Sequence, residues 1–323
     1  MLIETTSYEG AIAPSSFDQQ QQSIEQDLVD FNRSVKINSY TIICNAIKSK
    51  GFTLDLVDTL FKGKMTRTML VFTIGRSLDV PKATLLNIAS SIEILHEASL
   101  VHDDIQDHQE LRRGKQTVWK KYSLNEAISW GDFLLSLSLE PLLSNNSITD
   151  IKYFNETIQS MLEGQNLEQS SSSTPIGSSE YLEIAKLKTG SLIELPIKML
   201  VPYEHYNYHD LIQASRYLGM AYQLENDLDD FSKGPNGIDF KNKISSLPFI
   251  KLYEIRKLTN KKYQYKNVFR EQIEDHEFKL INDTIKIFVD LYYDKFCTIY
   301  KNTLSKECYN LLKKSFDLYF TGN

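Results

Sequence analysis

The segment LVHDDIQD (residues 100–107) is the strongest signal in this chain. Asp103 and Asp107 are four residues apart, so in a helix their carboxylates lie on one face, one turn from each other. Ser99 and His96 continue that face toward an apolar stretch. Like charges at this spacing destabilise a helix by roughly a few tenths of a kcal/mol unless a cation binds between them. The pattern predicts a long helix ending in an Mg²⁺ site; an acidic helix end exposed to solvent is the alternative.

A second segment, GMAYQLENDLDD (residues 219–230), repeats this arrangement. Gly219, Gln223, Asn226 and Asp230 follow one another at helical spacing and share one face. Here too an apolar helix ends in a group of oxygen ligands. Two such ends that face each other would hold several Mg²⁺ ions around one bound diphosphate. Two unrelated acidic helix ends are the other interpretation.

Basic residues accompany both acidic segments. They are Arg112 and Arg113 just after the first segment, Lys64 and Arg67 before it, Lys188 within a helical stretch, and Lys243 after the second segment. Arginine forks and lysine point charges are the usual phosphate-binding groups. Each pair alone is typical of a solvated surface. Together they indicate a site for two phosphorylated substrates, one held by metal ions and one by basic side chains.

The composition favours long helices and few turns. Of the 323 residues, 41% are hydrophobic, 13 are glycine and 8 are proline, and these two turn formers fall well below their usual share of about 12%. Apolar residues recur at helical spacing, whereas alternation with a period of two is nearly absent. We therefore predict an all-α, single-domain bundle of long helices. The expected helices cover residues 81 to beyond 107, 126–142, 151–168, 181–199, 210–231 and 278–300.

The remaining segments complete the predicted organisation. Residues 1–23 are polar and aperiodic and are predicted to be a flexible leader, which leaves 24–323 as the helical domain. Residues 169–179 include four consecutive serines and are predicted to be a loop between two helices.

Charge and cysteine content narrow the function and the location. The formal net charge is −6 and the pI is about 5.6, which argues against nucleic-acid binding because such proteins are basic. Three distant cysteines in no metal-binding spacing suit a reducing compartment. No apolar run reaches the roughly 18 residues of a transmembrane helix, and no signal peptide is recognisable. A cytoplasmic location is therefore expected.

In order along the chain, these segments resemble the trans-isoprenyl diphosphate synthases, the polyprenyl synthetase family, over roughly residues 40–320. The similar segments are residues 92–114 with both aspartates and Arg112-Arg113-Gly114, residues 127–135 with Gly131-Asp132, GQNLE (164–168) against the family's G-Q-x-x-D, Lys188-Thr189, residues 223–230, Asn242-Lys243 and Leu247-Pro248. The resemblance implies an isoprenoid-synthase bundle with its helices around a central cavity.

The resemblance also implies an activity. This is head-to-tail prenyltransfer from an allylic diphosphate to isopentenyl diphosphate, giving an all-trans polyprenyl diphosphate. The implied cofactor is Mg²⁺, with three ions per site, and the implied assembly is a homodimer. Mg²⁺, Lys and Arg would stabilise the charge that develops on the leaving diphosphate. An apolar shaft would exclude water from the cation and store the growing chain.

Residue roles follow from the same resemblance. The implied metal ligands are Asp103 and Asp107 on one side of the allylic diphosphate and Asn226, Asp227 and Asp230 on the other. The implied ligands of the allylic diphosphate are Arg112, Lys188 and Lys243, and those of the isopentenyl diphosphate are Lys64, Arg67, His96 and Arg113. Gln223 and the backbone of Lys188-Thr189 would line the path of the developing cation. The residues implied to act in catalysis are thus Asp103, Asp107, Lys188, Thr189, Gln223 and Lys243.

Three positions depart from the family pattern. Met65 stands where the family usually has arginine, which removes one phosphate donor. Asn226 replaces the first aspartate of the second segment, and its amide oxygen can bind Mg²⁺ but adds no charge. Lys233 only approximately matches a lysine that often follows this segment. These departures predict a lower affinity for metal or substrate.

Product length in this family depends on residues one to two turns before the first aspartate. Both residues there, Ala98 and Ser99, are small, and the acidic segment has no insertion. These features predict a deep pocket and geranylgeranyl diphosphate (C20) or a longer product. Another helix could close the pocket instead, through Met69, Phe72 or Met161.

Three alternatives remain open at this point. A class I terpene cyclase shares the scaffold, but its second motif would have Ser and Glu where Asp230 and Gly234 stand. A peptide-tryptophan prenyltransferase is suggested by the Lys- and Asn-rich composition and by residues 305–323, although the two arginines after the first segment are intact. A non-catalytic partner subunit of a hetero-oligomeric prenyltransferase would explain the departures from the family pattern.

Overall fold

The computed structural model describes residues 16–48, 51–145, 147–171, 175–205 and 207–320. The helices are α1 (Ser16–Ile47), α2 (Leu54–Val57), α3 (Thr66–Ser77), α4 (Lys82–Gln106), α5 (Val118–Lys121), α6 (Leu124–Leu137), α7 (Glu140–Leu143), α8 (Ile148–Ser170), α9 (Ser178–Ala185), α10 (Ser191–Leu200), α11 (Tyr208–Phe231), α12 (Ile238–Asn242), α13 (Leu247–Thr259), α14 (Asp275–Lys301) and α15 (Lys306–Phe320). A short hairpin pairs β1 (Leu111–Arg112) with β2 (Lys115–Gln116). The all-α fold predicted from the sequence is confirmed.

Two apolar cores hold these helices together. The larger core joins α1, α3, α4, α10, α11, α13, α14 and α15. The smaller core joins the C-terminal part of α1 with α2, α4, α5 and α6 around the fully buried Trp130. α4 lies between them: Ile92 and Leu95 enter the larger core, whereas Ile94 and Ala98 enter the smaller one. A helix buried on two sides has only one narrow face left for polar side chains, and that face ends in the first acidic segment.

A π-helical turn (Lys186–Gly190) interrupts a stretch that the sequence predicted as one continuous helix. Glycines on both neighbouring helices allow the close approach of this turn. A Cβ on Gly164 of α8 would lie 2.5 Å from the backbone N of Lys188, and one on Gly219 of α11 would lie 2.7 Å from Gly190 Cα. Only tertiary packing requires this turn, and such π turns are frequent at functional sites.

Two other predicted helices end earlier than expected. α4 stops at Gln106, and Asp107 is its C-cap, with its backbone N–H bonded into the last turn. The helix predicted over residues 126–142 is divided into α6 and α7. Pro141 explains the division, because it lacks the N–H that would bond to the carbonyl of Leu137 in a continuous helix.

The predicted leader and loop fall partly outside the described residues. Residues 1–15 lie outside them, and residues 16–23 form the first turns of α1 rather than an irregular segment. α1 is held because Ile24 and the turns after it pack into the larger core. Of the predicted loop at 169–179, residues 172–174 lie outside the described part, α8 reaches Ser170 and α9 begins at Ser178. Within the described ranges, no helix has both the length and the apolar character needed to cross a membrane.

Candidate active site

One large cavity, about 980 Å³ in volume, lies among α3, α4, α8, the π turn and α11. The predicted site residues that line it are Lys64, Arg67, His96, Ser99, Asp103, Asp107, Arg112, Arg113, Lys188, Thr189, Gln223, Asn226, Asp227 and Asp230. Both acidic helix ends therefore face one shared space. Residues from α8 and α10, among them Met161, Leu162 and Leu192, give this space an apolar wall.

Two predicted residues do not line the cavity. Ala98 precedes Asp103 by five positions, about 140° around the helix, and is 1% exposed within the smaller core. Ala98, predicted to form the pocket floor, therefore packs in that core rather than against the cavity, whereas its neighbour Ser99 lines the cavity. Lys243 follows α12 in the left-handed region, with φ at 57°, and is exposed to solvent. Lys243 is therefore not brought to the cavity with the other predicted residues.

The two aspartates of α4 have few partners. The side chain of Asp103 forms no hydrogen bond or ion pair with the described residues, and Asp107 Oδ1 is buried without a partner among them. Burial raises the pKa of Asp107 to about 7; Lys188 opposes this shift, and Asp103 and Glu168 add to it. A buried carboxylate that is this costly to ionise gains stability when a cation binds beside it.

The hairpin after α4 positions two arginines on the cavity. Arg112 donates from Nε to Oδ1 of Asp104 at 2.8 Å. Asp104 is 5% exposed, so the middle aspartate of the segment holds Arg112 instead of facing a ligand. Arg113 has a left-handed φ of 50° and precedes Gly114, at φ 76°. A Cβ on Gly63 would lie 2.9 Å from Arg113 Nη2, so this glycine leaves room for the guanidinium.

The cavity wall near α3 offers donors for an anion. The half-buried Arg67 lies near Glu93, and its buried Nε has no partner among the described residues. Burial, and then the charges of three nearby arginines, lowers the pKa of His96 well below its usual value, so the imidazole is neutral. Lys64 Nζ lies 4.5 Å from the centre of the Tyr319 ring. A diphosphate bound here would supply the acceptors that these groups lack.

The π turn places Lys188 and Thr189 between α8 and α11. Lys188 Nζ donates to Glu168 Oε2 at 2.5 Å. Burial opposes the charge on Lys188, but Glu168 and the two aspartates of α4 outweigh it and raise its pKa. Lys188 is therefore a permanent positive charge beside the first acidic segment. Thr189 Oγ1 donates to Gln223 Oε1 at 2.7 Å, which joins the turn to α11.

Hydrogen bonds from neighbouring side chains hold the carboxylate of Asp227 in place. It accepts hydrogen bonds from Tyr181 OH at 2.5 Å and from Gln223 Nε2 at 2.8 Å. Burial raises the pKa of Asp227 to about 7, although the Tyr181 and Gln223 hydrogen bonds act to lower it. This carboxylate therefore serves as a structural anchor between α9 and α11.

The three departures from the family pattern all lie at the cavity. Met65 has a left-handed φ of 55° and offers no donor to a phosphate. Asn226 Oδ1 accepts a hydrogen bond from Tyr319 OH at 2.9 Å. Lys233 Nζ lies 3.6 Å from Asp230 Oδ1. Asp230 also accepts the backbone N–H groups of residues 238 and 239, at 3.0 and 2.8 Å. Asn226 and Asp230 therefore need to exchange or share protein contacts in order to bind an ion.

The donors fit Mg²⁺ bound together with a diphosphate. Across the described residues, no three Asp, Glu, His or Cys side chains already converge on one point. Mg²⁺ commonly takes one or two carboxylates and completes its shell with water and phosphate oxygens. Asp103 and the unpartnered Asp107 Oδ1 are ligands of this kind. The site suits a metal–diphosphate complex better than a bare ion.

Several residues that line the cavity were not predicted from the sequence to have a role in it. They are Glu93, Glu97, Gln165, Glu168, Tyr181, Tyr222, Asp229, Asp239 and Tyr319. Gln165 and Glu168 lie in the G-Q-x-x-D-like segment, so that motif could have identified them. Tyr319 is remote from every motif, and only the fold brings it to Asn226.

Comparison with known sequences finds one family. The polyprenyl synthetase family model matches residues 53–285. A prenyl transferase of Cyanophora paradoxa is 32% identical over 179 residues, which are 53% of this chain and 55% of that protein. A geranylgeranyl pyrophosphate synthase of Geoglobus acetivorans is 30% identical over 208 residues, 59% of this chain and 65% of that protein. The octaprenyl diphosphate synthase of Escherichia coli is 28% identical over 177 residues, 53% and 54% of the two chains. The matched part of the chain thus spans about half to two thirds of these relatives.

Solved structures share the fold over nearly the whole chain. A polyprenyl synthase from Caulobacter crescentus, complexed with calcium and isoprenyl diphosphate, superposes with a TM-score of 0.76 at 20% identity and covers 96% of this chain and 99% of its own. A decaprenyl diphosphate synthase from Rhodobacter capsulatus superposes with a TM-score of 0.79 at 18% identity and covers 94% and 99%. The family match extends over well more than half of the sequence and includes both acidic segments, so the chain belongs to the polyprenyl synthetase family.

Proposed function

We propose that this protein is an Mg²⁺-dependent trans-prenyltransferase, which condenses an allylic diphosphate with isopentenyl diphosphate to an all-trans polyprenyl diphosphate. The main support is that two acidic helix ends and two separate groups of cations line the same cavity. One group, Arg112 and Lys188, lies beside the α4 aspartates; the other, with Lys64 and Arg67, lies near α3, and the two groups meet around His96. Two sets of cations suit two diphosphates.

The allylic diphosphate is assigned to the α4 side. Bound Mg²⁺, held by Asp103 and Asp107, would supply charge neutralisation for the leaving group. Lys188 and Arg112 stabilise the negative charge that develops there, because both are already fixed by carboxylate partners. The bond between the allylic carbon and oxygen breaks, and its electron pair departs with the diphosphate.

Isopentenyl diphosphate is assigned to the α3 side. Lys64, Arg67 and Arg113 bind its diphosphate, and the neutral His96 adds a hydrogen bond without adding charge. Its double bond then attacks the allylic cation and forms the new carbon–carbon bond. The cation that results loses a proton from the adjacent carbon to the released diphosphate, which restores a double bond.

The apolar wall is assigned to the hydrocarbon chain, with geranylgeranyl diphosphate or a longer product. Of the residues considered as alternative blocks, Met69 and Phe72 are buried in the larger core, whereas Met161 lines the large cavity. Leu95, two turns before the first aspartate, is also buried in that core. Met161 is therefore the residue we assign to limiting chain length.

We also propose the number of metal ions per site, the assembly and the location of the protein. Three Mg²⁺ ions per site would be shared between the α4 and α11 ligands. A homodimer is supported by large apolar side chains left exposed on α6, such as Leu124 and Ile128. A cytoplasmic location is supported by Cys44, Cys297 and Cys308, which are free thiols.

The test is one incubation series with the purified chain. It contains isopentenyl diphosphate, Mg²⁺, and dimethylallyl, geranyl or farnesyl diphosphate, with products sized by chromatography. We expect a product of C20 or longer that needs isopentenyl diphosphate and is abolished by a chelator. In matched variants, Arg67→Leu should raise KM for isopentenyl diphosphate about tenfold, and Arg112→Leu should raise KM for the allylic substrate instead.

Other products would identify the alternatives. Hydrocarbon formed from an allylic diphosphate alone would indicate a terpene cyclase. Transfer to a tryptophan peptide without chain elongation would indicate a peptide prenyltransferase. No turnover with any primer would contradict the proposal and favour a non-catalytic partner subunit.

A further inference from the structure

The chain between α2 and α3 carries two of the cations on the α3 side of the cavity. We call residues 61–67, which lead into the first turn of α3, the cation segment, because Lys64 and Arg67 belong to it and line the cavity. Residues 61–65 have no regular secondary structure. The position of both cations therefore depends on how the two ends of the cation segment are held.

Glu97 of α4 holds the beginning of the cation segment. Its Oε1 accepts a hydrogen bond from the backbone N–H of Phe61 at 2.9 Å. Phe61 is a bulky residue in the left-handed region, with φ at 56°, and such a conformation persists only where the surroundings require it. Here the surroundings are that hydrogen bond and the smaller core, in which the Phe61 ring packs edge-on against Tyr40.

Glu93, one turn earlier on α4, holds the other end. Its Oε1 accepts both the backbone N–H and the hydroxyl of Thr68, at 3.1 and 2.7 Å. Thr68 is the third residue of α3, and the residue before that helix, Met65, provides no side-chain cap. Glu93 therefore supplies from another helix the acceptor that a capping residue would supply. Because Glu93 and Glu97 share one face of α4, a single helix sets the distance between the two ends.

A carboxylate at position 97 is unfavourable both for folding and for binding an anion. Glu97 is 6% exposed and lines the cavity. Burial raises the pKa of Glu97 to about 7, and the charge of Glu93 adds to this shift, whereas the Phe61 hydrogen bond and the nearby arginines oppose it. A direct contact between this carboxylate and a diphosphate would be repulsive. Glu97 therefore acts on a substrate through the segment that it holds.

We propose that Glu97 is a positioning residue for isopentenyl diphosphate, which holds the cation segment so that Lys64 and Arg67 are presented to that diphosphate; this rests on the proposed function. With Phe61 held, both cations are in place before the substrate arrives, and binding does not have to order them. Without the acceptor, the buried N–H of Phe61 is unpaired, and the segment is free to leave its strained conformation. Binding then has to order the segment again, which weakens it.

The test compares Glu97→Gln with Glu97→Met. Glutamine keeps an acceptor for the N–H of Phe61 and removes the charge, whereas methionine removes both. Isopentenyl diphosphate alone has no allylic partner to react with, so its dissociation constant can be measured by calorimetry. We expect Glu97→Met to raise this constant about tenfold, because two long side chains must be ordered on binding. We expect Glu97→Gln to leave it equal or lower it, since a repelling charge is removed.

Kinetics and hydrogen exchange separate positioning from a general loss of stability. In Glu97→Met, KM for isopentenyl diphosphate should rise about tenfold, while kcat and KM for the allylic substrate change less than about twofold. Amide hydrogen exchange over residues 58–68 should become faster in Glu97→Met and stay at the wild-type rate in Glu97→Gln.

Glu194→Met is the matched control. Glu194 is a buried glutamate of α10, 4% exposed, which accepts from Arg216 Nε at 2.8 Å and does not line the cavity. Its replacement should lower the melting temperature, because the guanidinium loses its carboxylate partner. Both KM values and the exchange of residues 58–68 should stay at their wild-type values.

The other outcomes contradict the proposal. A wild-type dissociation constant in Glu97→Met would show that the cation segment keeps its position without Glu97. Equally weakened binding in both variants would show that the charge, and not the hydrogen bond, is what binding needs. A similar rise of both KM values would indicate a general loss of structure. If the wild-type chain binds no isopentenyl diphosphate, the proposed function fails first, and hydrogen exchange still tests whether Glu97 holds the segment.

Discussion

The two acidic segments look alike in sequence, but the fold treats them differently. On α4, Asp103 has no protein partner within the described residues, and Asp107 has a buried oxygen without one. On α11, Asp227 is bound by Tyr181 and Gln223, and Asp230 is bound by a backbone loop. The side chains of Asp103 and Asp107 therefore keep carboxylate oxygens without a hydrogen-bond donor among the described residues, whereas Asp227 and Asp230 already have donors.

This difference suggests that the two acidic segments take part in cation binding in different ways. A carboxylate without partners gains the full benefit of a cation, so under the proposed function we expect a metal–diphosphate complex to attach first to Asp103 and Asp107. A carboxylate that anchors its own loop, as Asp230 does, has to exchange or share these hydrogen bonds in order to bind an ion. Lys243 directly follows α12 in this part of the chain and does not line the cavity.

The largest expected effect separates activity from stability. Asp103→Asn should lower kcat by about 10³-fold, roughly 4 kcal/mol of transition-state stabilisation, with an unchanged melting temperature because no protein contact is lost. Asp227→Asn should lower activity and also destabilise the fold by about 1–2 kcal/mol, because its hydrogen bonds with Tyr181 and Gln223 are disturbed. Steady-state kinetics and urea unfolding check both. Equal destabilisation by the two variants would remove the contrast.

An intermediate effect concerns pH and the α4 segment. The pKa of Asp107 is raised to about 7 in the folded protein, from 3.8 in the unfolded chain. The folded state therefore keeps this proton up to a higher pH than the unfolded chain does. The stability that this proton confers is present at low pH and is lost as pH rises toward 7. Relative to Asp107→Asn, the metal-free wild type should therefore lose about 2 kcal/mol of unfolding free energy between pH 5 and pH 8, allowing for partial solvent exposure.

Urea unfolding in a chelator at both pH values measures this effect. Mg²⁺ with pyrophosphate should restore the wild type at pH 8 and leave Asp107→Asn nearly unchanged. Parallel pH curves for the two proteins would show that Asp107 is not the group that resists ionisation.

The smallest effect concerns the α11 segment. Asn226→Asp should lower the half-saturating Mg²⁺ concentration about threefold to tenfold, because the new carboxylate adds charge where the amide has none. Tyr319→Phe is the matched variant: it removes the hydroxyl donor to Asn226 and keeps the ring stacked on Tyr222, whose centroid is 4.1 Å away. It should change the Mg²⁺ titration less than Asn226→Asp does. Identical titrations for all three proteins would exclude Asn226 from the ligands.

Prediction from sequence worked best where residues are neighbours on one helix. Asp103 and Asp107, or Gln223 and Asp230, share a face for any chain that forms an α-helix, so their common direction follows from the spacing alone. The prediction for the pocket floor grouped Ala98 with Ser99, although successive side chains on a helix point about 100° apart. Ser99 and Ala98 lie on different faces of α4, one toward the cavity and the other toward Trp130.

Prediction from sequence had least to say where distant segments meet. The π turn at Lys186–Gly190 exists because Gly164 and Gly219 let two helices press against it from either side. Tyr319 donates a hydrogen bond to Asn226, from which it is separated by 93 positions in the sequence. Neither feature has a local pattern, since both arise from how closely helices pack.

The sequence by itself thus determines which side chains are acidic, basic or apolar. It also determines which of them share a helical face, because the helical period fixes the direction of each side chain. The sequence does not determine which of those side chains find hydrogen-bond partners. The near-identical pairs, Asp107 against Asp227 and Gln165 against Gln223, differ because one member of each found partners on neighbouring helices and the other did not. That outcome depends on distances between elements far apart along the chain, and only the packed bundle defines those distances.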